Sequence, residues 1–130
     1  MIKIYFIILS ILGFLDALWL GVISKNFYKE SLGFLFRSKA YLTPALIWYL
    51  IYTIGLIVFV INPSLKSQEP VKNSIALGSL LGLIAYSTYN LVNYSTINNW
   101  PLKVALVDTC WGVLVSAITC GLAVFIITHF

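Results

Sequence analysis

"FLDALWLG", residues 14–21, lies inside an apolar run that carries no other charge between Lys3 and Lys25. A run of about 20 residues is what a helix needs to cross the hydrocarbon core of a bilayer. A charged carboxylate near the bilayer centre costs at least about 2.5–3.5 kcal/mol on insertion scales. Asp16 is therefore expected to face other helices and to find partners among them. The phrase Asp-x-x-Trp recurs in "LVDTCWG", residues 106–112, within another apolar run, so the first aspartate is one half of a pair.

Composition supports the membrane reading. Of 130 residues, 61% are hydrophobic and 9% charged, with a mean hydropathy of +0.98, whereas a soluble domain carries roughly 25% charged residues. The expected fold class is all-α, a bundle of four transmembrane helices forming one domain over residues 1–130. The spans are read at about 4–24, 42–62, 73–94 and 103–128. The opening "MIKIYFIILSILGF" imitates a signal peptide, but the run continues to Ile23 with no clean small-residue cleavage site, so it is read as an uncleaved span.

The net charge of +4 arises outside these runs, and its eight Lys and Arg are scattered among separate loops. That pattern suits a membrane surface and excludes a nucleic-acid face. In "KNFYKESLGFLFRSKAY", residues 25–41, the basic residues alternate with Phe27, Tyr28, Leu32, Leu35 and Phe36, as in a short segment lying in the interface; a plain polar loop is the alternative. Lys25, Lys29, Arg37, Lys39 and Lys103 fall on one side of the membrane, and Lys3, Lys66 and Lys72 on the other. The bias favours a cytoplasmic first loop and external termini. "NPSLKSQEPVK" and "INNWP" complete the connections, with Trp100 expected at headgroup depth.

Three stripes of small residues, Gly13/Ala17/Gly21, Ser74/Gly78/Gly82 and Gly112/Ser116/Cys120, allow close helix approach. They are read as packing surfaces. Cys110 and Cys120 stand roughly 15 Å apart along one helix, too far to bridge, and are read the same way.

The two aspartates share a level. Asp16 lies roughly 12 Å from the loop-side surface and Asp108 roughly 7 Å, on antiparallel spans. The third span ends at the same surface with "YSTYNLVNYST", residues 86–96, which puts Tyr86, Asn90 and Asn93 on one face and Tyr89 beside them. These four are the expected neutral partners of the carboxyls, with Trp19 and Trp111 as an aromatic wall. No Lys or Arg lies within the spans, so a shared or exchangeable proton is expected. Hydrogen-bonded glue between helices is the structural alternative, at about 0.6 kcal/mol per bond.

Most other chemistry is excluded, although Asp16 and Asp108 could act as an acid/base pair if they lie close enough, which the sequence does not show. The single histidine, His129, falls at the opposite surface, so neither a Ser-His-Asp arrangement nor a histidine metal site can form within the chain. No catalytic residue, metal or cofactor is assigned, and no Gly-rich phosphate loop is present.

"FLDALWLGVISKNFY", "YSTYNLVN" and "LVDTCWG", in that order across nearly the whole chain, resemble the DUF2177 family of small bacterial four-span membrane proteins. The resemblance implies a multi-pass protein of the bacterial inner (cytoplasmic) membrane without an established activity, sometimes associated with fatty-acid modification genes. In the family pattern an acid often stands where this chain has Asn90, a departure that leaves two intramembrane carboxylates. The function expected is binding of a small ligand, cation or proton at an intramembrane polar site, with transport requiring a homodimer. The ligand-binding residues would be Asp16, Trp19, Tyr86, Tyr89, Asn90, Asn93, Asp108 and Trp111, and the partners the bilayer, the ligand and a second copy. The alternative is a lipid-modifying enzyme or its accessory subunit.

Overall fold

The computed structural model describes residues 1–130. Four helices are long and apolar enough to cross a membrane: α1 (Ile2–Ile23), α3 (Leu42–Leu65), α4 (Pro70–Thr96) and α5 (Leu102–His129). A short helix, α2 (Lys25–Leu32), and one 3₁₀ turn (Gly33–Leu35) fill the first connection. The chain contains no strand, and it is an integral multi-pass membrane protein of the all-α class. Of the 103 backbone–backbone hydrogen bonds, 91 run within helices, the arrangement a bilayer core demands.

The helices overrun the sequence-read spans at several ends, and the prolines explain where. Pro70 opens α4 in its first turn, where a missing N–H costs nothing. Pro63, by contrast, lies inside α3 and has no N–H to offer the Phe59 carbonyl four residues back. The helix widens to i→i+5 bonds over Ile57–Ile61 and carries on to Leu65 without a break. A second π-helical turn, Trp19–Ile23, ends α1, and Ser24 closes it by donating from its hydroxyl to the Trp19 carbonyl at 2.7 Å. In the tight turn between α4 and α5, Asn99 takes the left-handed conformation at φ 62°, one that Asn tolerates better than most residues.

α4 and α5 form a closely packed antiparallel pair; α1 packs against α3 and α5, and the π turn of α3 touches α4. Lipid tails are as apolar as the side chains they touch, so close van der Waals packing and hydrogen bonds hold such helices together. The small-residue stripes of the third and fourth spans supply that closeness to one another. A β-carbon on Gly82 would strike the Gly112 carbonyl oxygen, one on Gly112 would strike the Tyr86 ring, and one on Gly78 would stand 2.8 Å from the Ser116 carbonyl oxygen. The first-span stripe differs: nothing lies near Gly13 or Gly21, and Ala17 is exposed. Cys120 is buried within the α4–α5 contact, while Cys110 is exposed on the outside.

Two apolar clusters bracket the loop-side half of the bundle. The larger centres on Ile8, Leu12, Leu56, Val60, Ile61, Val115 and Val124. The smaller joins Leu32 of α2 to Trp100, Val104 and Ala105, with Phe27 and Tyr28 against it. Trp100 is thus buried beneath α2. Because α2 folds back over the start of α5, its Tyr28 points toward the bundle interior, and the polar residues lie between the two clusters.

Candidate functional site

Asp16, on α1, accepts hydrogen bonds from the Tyr49 hydroxyl of α3 (2.7 Å) and the Trp111 indole N–H of α5 (2.7 Å), one at each carboxylate oxygen. Asp108, on α5, accepts from the Tyr28 hydroxyl of α2 (2.5 Å) and the Asn90 amide of α4 (2.6 Å). The Trp19 indole donates in turn to the Tyr28 oxygen at 3.1 Å. Each motif's tryptophan therefore serves the other motif's aspartate, Trp111 directly and Trp19 through a phenol. The two indoles lie face to face, 4.5 Å between centroids and 4° from parallel. All five helices contribute at least one side chain.

Neutral donors, one at each carboxylate oxygen, pair both aspartates without any Lys or Arg. Burial and its bond to Asp108 push the Tyr28 phenol above its ordinary range, so it remains a donor at physiological pH. Asn90 is fully buried, and its amide nitrogen bridges Asp108 and the Tyr86 carbonyl (2.9 Å), which fixes the amide orientation and leaves its oxygen Oδ1 buried without a partner.

Of the four residues read from the third span as partners, Asn90 alone bonds a carboxylate. Tyr86 is wedged against Gly112 and packs edge-on to Trp48 and Tyr52. Tyr89 is 57% exposed and meets Trp100 edge-on. Asn93 bonds neither aspartate. Tyr28 and Tyr49, by contrast, escaped the sequence reading as carboxylate partners. Tyr28 closes the quoted motif "FLDALWLGVISKNFY", and its fixed distance from Asp16 is the signal that could have found it. A deeper bond, between Tyr52 and Ser116 at 2.7 Å, continues the polar layer between α3 and α5.

The aspartates are not equivalent. Asp16 is 5% exposed, with a donor at each carboxylate oxygen. Asp108 is half-buried and, with Tyr28 and Asn90, lines a cavity of about 830 Å³ beneath α2. It also lines a second of about 440 Å³ with Trp48, Tyr86 and Tyr89. A groove of about 580 Å³ runs between α1 and α3 over Gly13 and Ala17 and reaches Asp16 and Tyr49.

Residues 1–125 match the family model described as a predicted membrane protein (DUF2177), a match that spans every residue of this network. The chain belongs to the DUF2177 family. No curated protein and no solved structure matches it. In this DUF2177 member the motif residues of the first, third and fourth spans converge on one polar layer, with Asn90 bonded directly to Asp108.

Proposed function

We propose that the chain is a ligand-binding protein of the bacterial cytoplasmic membrane, in which Asp108, Tyr28 and Asn90 form the polar floor of a site for a small molecule. One observation carries this reading: Asp108, which structural glue would be expected to enclose, instead opens onto cavities within the roughly 300–1,000 Å³ range of ligand pockets. Asp16 and the stacked indoles act as the wall that holds this floor in place. Helical spans, in contrast to the barrels of outer membranes, suit the cytoplasmic membrane. A transport role would call for a second copy, and of the three small-residue stripes only Gly13/Ala17/Gly21 is left open to receive one.

The test is Asp108→Asn. The amide keeps the shape and most hydrogen bonds but cannot ionise. The detergent melting temperature should stay within a few degrees of the parent, while small molecules that co-purify with the parent, detected by mass spectrometry, should be lost. Retention of the same molecules at the same occupancy would reduce Asp108 to a helix-packing residue. Altered acyl or headgroup species in lipid extracts of a deletion strain would favour the enzyme reading instead.

A further inference from the structure

The cavity beneath α2 has a second polarity that its floor does not explain. Lys25, Lys29 and Arg37 all line it, all are exposed, and none has a carboxylate partner. The molecule's one ion pair, Lys72 with Glu69, lies at the other end of the bundle, and Glu30, the single acid among residues 25–41, pairs with none of the three. Three unpaired cations around one cavity at the membrane surface are suited to an anion carrying several oxygens, to which Arg offers a planar fork and Lys a point charge. They disfavour a free metal ion or other small cation approaching from that side. The floor asks for something different: Asp108 and the unpartnered Asn90 Oδ1 are acceptors, suited to a hydroxyl or ammonium group. The walls are apolar, and Leu20 is shared between this cavity and the groove that runs down α1 and α3 over Gly13 and Ala17. That groove is lined by Leu9, Leu46 and Leu50, and at Gly13 nothing lies within 4 Å of where a β-carbon would stand.

We infer that the site takes a phospholipid whose headgroup carries a hydrogen-bond donor: phosphate against Lys25, Lys29 and Arg37, headgroup hydroxyl or amine toward Asp108 and Asn90, and an acyl chain passing Leu20 into the groove between α1 and α3. This rests on the ligand-binding reading above and names its ligand class.

The protein in a neutral maltoside detergent is titrated with short-chain phosphatidylglycerol, with phosphatidylcholine of the same chains (phosphate without a donor), with the matching diacylglycerol (chains without phosphate) and with glycerol 3-phosphate (phosphate without chains). Phosphatidylglycerol should raise the melting temperature saturably, and the other three should do so weakly or not at all. The triple variant Lys25→Gln, Lys29→Gln, Arg37→Gln removes only exposed, unpaired charges, so its lipid-free melting temperature should match the parent. Its apparent Kd for phosphatidylglycerol should rise at least about tenfold, the loss expected for one or more charge-assisted bonds. A response equal for glycerol 3-phosphate would put a soluble phosphate ester in the cavity and overturn the lipid. A response undiminished in the triple variant, or no response to any phosphate compound, would overturn the phosphate site. If co-purifying molecules without phosphate still depended on Asp108, the ligand-binding reading would stand and the lipid class alone would fall.

Discussion

Asp16 and Asp108 come from the same four-residue phrase, yet the structure gives them different surroundings. Asp16 faces two donors, one of them an indole that cannot accept a hydrogen bond in return. Asp16→Ala would leave the partly buried Tyr49 hydroxyl and Trp111 N–H unpaired. At about 1–3 kcal/mol for each orphaned group, the variant should melt well below the parent. Asp16→Asn should cost no more than about 1 kcal/mol, because the amide oxygen can accept from Trp111 while the hydroxyl of Tyr49 turns to accept from the amide N–H. Comparing the two melting temperatures checks this; equal losses would mean that charge, and not hydrogen-bond pairing, is what the bundle needs at this position. Asp16, Asn90, Asp108 and the two tryptophans were legible in the sequence because a polar group in an apolar run must turn inward and its spacing fixes its depth. Tyr28 and Tyr49 were not. A phenol is tolerated both at a lipid interface and inside a bundle, so its presence does not reveal which way it points.

At the scale of the helix, the four spans were legible from length and apolarity, but their rotation was not. A helix that is hydrophobic all round presents no polar side to show which face turns inward, so small-residue spacing is the remaining cue. It pointed to three stripes without saying which two meet. The structure pairs Ser74/Gly78/Gly82 with Gly112/Ser116/Cys120 and leaves the first-span stripe against open space. Gly82→Ala and Gly112→Ala should therefore force α4 and α5 apart or displace Tyr86, and overpacking of this kind costs about 1–3 kcal/mol or more. Gly13→Ala should be neutral or slightly stabilising, since alanine favours a helix by up to about 1 kcal/mol where nothing opposes it. Melting curves of the three single variants decide the matter. A destabilised Gly13→Ala would reveal an occupant seated on α1, either a second copy or the acyl chain inferred above. The π turn at Trp19–Ile23 was equally invisible, since no residue in "WLGVI" demands it, yet it ends α1 immediately before the helix that carries Tyr28.

For the whole molecule, five basic residues on the side of the first loop against three on the opposite side set the expected orientation, with α2 and its cavity facing the cytoplasm. A reporter fused at the C terminus should be active only where external reporters work; cytoplasmic activity would reverse the assignment and place the cationic cavity on the other leaflet. The depth shared by the two aspartates survives either outcome, because it follows from the antiparallel course of the spans. The reciprocal use of the two motifs also imposes an order in time. The chain emerges from its N terminus, so Asp16 enters the membrane before any of its donors, gains Tyr49 with α3, and must wait for the last helix to receive Trp111. A chain halted after Thr96 would hold Asp16 with one donor of two and would lack Asp108 altogether. The polar site is thus complete only once synthesis of the bundle is nearly finished, and a half-made copy has nothing to bind with.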